Sequence, residues 1–170
     1  RTLAILVDIY IIPLPDSTGD AVAFVDYAII LSEQGFESAF MQFPDYGNGW
    51  IYSWIISLIY SLFAESSMLI QSLNAIIGIG VVFYSYRLTQ AIWSTPTAIK
   101  AAWVVALFPT LILYSSITLR EAFIAFFTVY AFWRTILWSQ SNSNRNLLLA
   151  FIGFFAAGSF HVAMALGIVF

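Results

Sequence analysis

Four side chains hold most of the chemistry this sequence can offer. Asp16 and Asp20 stand four apart in the turn Asp16-Ser17-Thr18-Gly19-Asp20, and about a hundred residues later Arg120 sits beside Glu121. A carboxylate can take a proton from a hydroxyl. Several carboxylates together can hold a divalent cation through oxygen ligands, and a guanidinium can grip a phosphate with two parallel donors. Asp45, in the turn-rich stretch Pro44-Asp45-Tyr46-Gly47-Asn48-Gly49, and His161, inside an apolar run, complete the set. Each also has a plainer role. Asp20 or Ser17 suits the cap of a following helix, Asp16 suits a turn after Pro15, and Glu121 suits the first turn of a helix. Arg120 suits an ion pair that ties two loops, and Asp45 suits the shaping of its turn. His161 suits packing, although ionisable groups inside a membrane lean functional.

The segments that must carry these residues are apolar. The chain is 61% hydrophobic and 9% charged, with a mean hydropathy of +0.89. Ordinary soluble domains are about 45–50% apolar and about 25% charged. The composition therefore predicts an integral membrane protein, all-α, folded as a polytopic transmembrane helix bundle. The absence of cysteine excludes disulfides and thiol chemistry. With no basic patch, nucleic acid is not an expected partner. The ends, Arg1 without a preceding Met and Phe170 within an apolar run, suggest part of a longer chain.

The spacing predicts one transmembrane domain over 1–170, with spans at about 2–14, 68–86, 99–114, 122–138 and 147–170. Pro13 and Pro15 close the first of these. Two further helices, about 21–33 and 50–63, are expected to lie in the first outer loop without crossing. The second, Trp50–Phe63, is apolar but has only 14 residues, short of the about 20 a span needs. Ser53, Ser57 and Ser61 give it a polar stripe, and Trp50, Tyr52, Trp54 and Tyr60 suit an interface.

The charges are sorted along the chain and set the sidedness. Between Thr2 and Tyr86 there are eight acids and no Lys or Arg, whereas Arg87, Lys100, Arg120, Arg134 and Arg145 face only Glu121. If 50–63 does not cross, Arg87, Lys100, Arg134 and Arg145 all fall on the cytoplasmic side, as the positive-inside tendency requires. Asp16, Asp20, Asp45, Arg120 and Glu121 then share the outer face.

Several stretches together carry a resemblance. These are Gly19-Asp20-Ala21, Tyr27-Ala28, Leu31 to Gly35, Leu62-Phe63-Ala64-Glu65-Ser66, Gln71 to Gly78, Phe108-Pro109 and Tyr114-Ser115-Ser116 leading to Leu119-Arg120-Glu121. The chain resembles the N-terminal half of GT-C fold glycosyltransferases, the polytopic enzymes that use lipid-phosphate-linked sugars, protein O-mannosyltransferases and aminoarabinose transferases among them. The resemblance implies a glycosyltransferase acting at the non-cytoplasmic face, in a bacterial inner (plasma) membrane. Membrane lipid and a polyprenyl-phosphate-linked sugar are the implied partners. It implies active-site roles for Asp20, the candidate base, and Glu121; Arg120, Asp16, Asp45 and His161 are, by their chemistry and position, the candidate substrate or lipid-phosphate contacts. A divalent cation held by Asp16, Asp20 and Glu121 is an open expectation, since some members of this class use metal and others do not. The family often shows two adjacent acids in the first loop, whereas Asp16 and Asp20 are four apart. Two other readings stay open: an envelope-polysaccharide polymerase, and a non-enzymatic transporter or membrane-complex subunit.

Overall fold

Proline and glycine punctuate the chain into helices of very unequal length. The fold comes from a computed structural model, which describes residues 1–43 and 50–161. Among the described residues every regular element is an α-helix: α1 (Thr2–Tyr10), α2 (Asp20–Ser32), α3 (Phe36–Met41), α4 (Ile51–Leu62), α5 (Ser67–Ile92), α6 (Thr95–Ala106), α7 (Pro109–Tyr114), α8 (Glu121–Ser141) and α9 (Asn144–Phe160).

Helices α5 and α8 are long and apolar enough to cross a membrane. The Ser66 hydroxyl caps α5 by accepting from Leu69 N–H, and its 26 residues extend about 39 Å. The expected single helix over 99–114 is broken. Pro109 disfavours helical backbone at the residue before it, Phe108 is extended, and α6 stops at Ala106. The helix expected over 147–170 begins earlier, at Asn144, and is described to Phe160. The first helix ends at Tyr10, four residues short of the expected limit, and α3 appears where none was predicted.

Side-chain contacts give the helix directions. Asn74 of α5 reaches the carbonyls of Ile117 and Leu119 just before α8. Farther along, Tyr84 meets Tyr130, and Gln140 donates to Ala91 O. Helices α5 and α8 therefore run the same way, with α6 and α7 as the return between them. Helix α9 runs back along α8: Arg134 donates to Asn146 Oδ1 at one end, and Phe127 stacks on Phe160 at the other.

Helices α2 and α4 pack together at a single end of this assembly. Their buried cluster includes Phe24, Tyr52, Ile56 and Tyr60. It meets α5 at Ile70, Leu73 and Ile77, and α8 at Phe123, Ile124 and Phe127, all in the N-terminal half of each long helix. Twelve residues give α4 about 18 Å. The serine stripe and two of the aromatic residues of α4 face inward: Ser53, Ser57, Tyr52 and Tyr60 are all buried. Small residues let helices approach closely, and the Ser57 hydroxyl is satisfied by Trp54 O at 2.8 Å.

Gly78 marks the closest approach of α5 to the end of α7. A Cβ built there would lie 2.5 Å from Ser115 Cβ, closer than real Cβ contacts, and a tight 3.1 Å from Arg1 Nε. Gly78→Ala is expected to destabilise the protein by about 1–3 kcal/mol through overpacking, read as a lower melting temperature in detergent or nanodiscs. A melting temperature equal to wild type would show that Ser115 and Arg1 yield freely.

Candidate functional site

The first wall of the site is the chain that folds back after α1. Asp8 Oδ1 accepts from Leu14 N–H at 2.7 Å, and Asp8 Oδ2 accepts from Gln71 Nε2 at 2.7 Å. An acid within an apolar helix thereby acquires two donors and fixes the Pro13–Pro15 segment against α5. Ser17 N–H then bonds Leu14 O. Asp16 adopts the left-handed backbone conformation, φ 66°, one that aspartate tolerates better than most residues. Gly19, not Asp20, occupies the cap position of α2, and no side chain caps this helix. Asp20 is its first residue and is exposed, so a carboxylate stands at the positive end of the helix with its oxygens toward solvent.

The second wall is the stretch between α7 and α8. Ser115 through Leu119 are all buried although none is helical, and buried backbone must find partners. Asn74 supplies two of them. Its Nδ2 donates to Ile117 O at 2.6 Å and to Leu119 O at 2.9 Å, while its Oδ1 accepts from Tyr52 O–H at 3.0 Å. Burial pushes the Tyr52 phenol above its ordinary range, which keeps it a neutral donor to Asn74. Ser116 donates to Ile112 O at 2.7 Å. This stretch delivers Glu121 to the start of α8.

Between the walls lies a cleft of about 540 Å³ lined by Asp16, Gly19, Asp20, Tyr114, Leu119 and Glu121. Tyr114 O–H donates to Asp16 Oδ2 at 3.3 Å and bridges the walls. Glu121 is half-buried, and its Oε2 is buried with no hydrogen-bond partner among the described residues. Three carboxylates in one cleft can accept a proton from a hydroxylated ligand. Among the described residues no three acid or imidazole groups converge closely enough to hold a metal ion, so Asp16, Asp20 and Glu121 do not fit a shared cation.

Other candidates are placed differently. Arg120 is outside the lining of this cleft. Its guanidinium lies 5.3 Å from the centre of the Phe24 ring, and its Nε is buried without a partner among the described residues. His161 follows the last turn of α9 and is exposed, not enclosed within a helix. Asp45 lies outside the described residues. Tyr114 and Asn74 are the residues that sequence reasoning passed over as parts of the site. Asn74 reads in sequence as a helix-to-helix hydrogen bond, and nothing in the sequence singles out the Tyr114 phenol.

Scans against protein-family models, curated proteins and solved structures find no match to this chain.

Proposed function

We propose that this chain is part of a polytopic membrane glycosyltransferase of the GT-C type. In this reading α5, the α6–α7 pair, α8 and α9 cross a bacterial inner membrane, while α2, α3 and α4 rest at its non-cytoplasmic face. The observation that carries the proposal is the shared cleft: Asp16 and Asp20 from the first loop and Glu121 from the start of α8 line one cavity. The charge sorting adds support, since the acids and the bases Arg87, Lys100, Arg134 and Arg145 belong to opposite ends of α5 and α8.

The reaction is displacement at the anomeric carbon of a sugar held on a polyprenyl phosphate. The acceptor hydroxyl oxygen forms the new bond to that carbon. The bond from the carbon to the phosphate oxygen breaks, and its electron pair leaves with the polyprenyl phosphate. Asp20 takes the hydroxyl proton, and attack opposite the leaving group inverts the anomeric configuration. Glu121, in the lining of the cleft, orients the acceptor through its carboxylate. Arg120, outside the lining of the cleft but next to Glu121, contributes positive charge as the phosphate departs.

The sidedness is tested by single cysteines introduced into the cysteine-free chain at exposed positions. Thr18→Cys and Glu65→Cys are expected to react with an impermeant maleimide from outside intact cells. Lys100→Cys and Arg145→Cys are expected to react only after permeabilisation. Labelling of all four from one side would overturn the membrane arrangement.

A further inference from the structure

The end of the helix assembly opposite the cleft carries a cationic arrangement that the proposed transfer does not use. Arg87 of α5 and Arg134 of α8 converge on one indole. Their guanidinium carbons lie 5.1 Å and 4.4 Å from the Trp133 ring centre. Phe83 and Tyr130 flank them at 5.9 Å and 5.1 Å. Trp133 is buried, so the ring fixes both side chains. Helix α9 adds Asn146, whose Oδ1 accepts from Arg134 Nη1 at 3.2 Å.

Two features remain unexplained by packing. Arg134 Nε is buried with no hydrogen-bond partner among the described residues. In addition, from Ser66 to Phe170 the sequence holds a single acid, Glu121, which stands at the other end of α8. Two guanidinium groups held against one ring, with no acid along α5, α6 or α9 and only Glu121 at the far end of α8, leave a local positive charge that an anion would offset. Arg87 is exposed, and an exposed guanidinium fork matches a phosphate diester.

Depth selects the source of that phosphate. Arg87 lies about 8 Å and Arg134 about 10 Å from the ends of their helices. With α5 and α8 crossing a hydrocarbon layer of about 30 Å, both backbones lie inside it toward the end opposite the cleft, Arg87 by a few Å and Arg134 by about 10 Å, and long arginine side chains at such depths snorkel to the level of the lipid phosphates. Phe83 is 49% exposed and offers an apolar flank to an acyl chain. We propose that Arg87, Trp133 and Arg134 form a binding site for the phosphate headgroup of an anionic phospholipid. This rests on α5 and α8 crossing the membrane and is independent of any transfer chemistry in the cleft. Basic pockets between helices at a membrane face are a recognised mode of lipid capture.

The test uses the full-length protein in nanodiscs. Phosphatidylglycerol discs are expected to raise the melting temperature by several degrees over phosphatidylcholine discs. Arg87→Gln with Arg134→Gln is expected to abolish that gain, and Lys100→Gln with Arg145→Gln to keep most of it. An equal loss in both double variants would reduce the effect to general charge attraction and overturn the site. Inorganic phosphate added to phosphatidylcholine discs is expected to do nothing; full reproduction of the gain would assign the site to a soluble anion instead. Should the glutamine variant not fold, lipid carried through detergent purification of wild type decides. Selective retention of phosphatidylglycerol over an equal supply of phosphatidylcholine supports the site, and equal retention overturns it.

Discussion

Asp20→Asn in the full-length protein is expected to lower sugar transfer by about 10²–10⁴-fold, the range for loss of a general base, with the helices folding as before. The contrast follows from the setting of this residue. Asp20 is exposed at the first position of α2 and makes no capping bond. Neutralising it forfeits an interaction with the helix end worth about 0.3–1 kcal/mol, and asparagine preserves the shape. Melting temperature and transfer rate should therefore separate cleanly. Asp16→Asn is expected to be milder, because Asp16 is engaged with the Tyr114 hydroxyl and an amide oxygen still accepts from it. Transfer at the wild-type rate in Asp20→Asn would remove this carboxylate from the chemistry, and the glycosyltransferase reading would lose its base.

The second large effect concerns Asn74, which is fully buried. Replacement by leucine, close in volume, strands the Ile117 and Leu119 carbonyls and the Tyr52 hydroxyl at once. A buried polar group left without a partner costs about 1–3 kcal/mol, and loss of a whole buried network falls among the largest single-site effects, about 4 kcal/mol or more. Tyr52→Phe removes one member of the same network and leaves only Asn74 Oδ1 unmet, so a loss of about 1 kcal/mol is expected. Thermal melting of the two variants in nanodiscs checks the ordering. Equal losses would mean that the two carbonyls find other donors. Transfer activity is expected to fall further in Asn74→Leu than stability alone explains, because the stretch that presents Glu121 is held by those two bonds.

The long helices are legible in the sequence because uninterrupted apolar runs such as Met68–Tyr86 leave few alternatives. The break at Leu107-Phe108 is less legible: Pro109 announces an interruption but not whether the helix resumes. Helix α3 escapes because Gly35 reads as a stop, and its six residues are too few for a period to show. The aromatic residues of α4 suit an interface, but aromatic type alone does not reveal which face of a helix is buried, and Tyr52 and Tyr60 pack inward. The serines at 53 and 57 carry that information, as small residues at a close contact.

The cleft divides in the same way. Charge sorting along the chain puts Asp16, Asp20 and Glu121 in one group, and they line one cavity. Several of the hydrogen bonds that build its walls join residues far apart in sequence, 43 positions for Asn74 with Ile117 and 98 for Tyr114 with Asp16. No local pattern announces such a pairing, so Asn74 and Tyr114 emerge only in three dimensions. Asp8 is similar. It reads as an unexplained acid within an apolar helix, and its donors, Leu14 N–H and Gln71, depend on a chain reversal that the prolines permit but do not specify.

The non-helical Ser115–Leu119 stretch is a buried wall of the cleft, and its polar groups bond chiefly to α7 carbonyls, to Arg1 and to Asn74. In the proposed glycosyltransferase reading, a sugar would gain little by reaching toward that wall. Its orientation would come from the rim, where Asp16, Asp20 and Tyr114 stand. Recognition would then be lateral, and a change in which sugar is accepted should map to rim substitutions while the buried wall tolerates almost none.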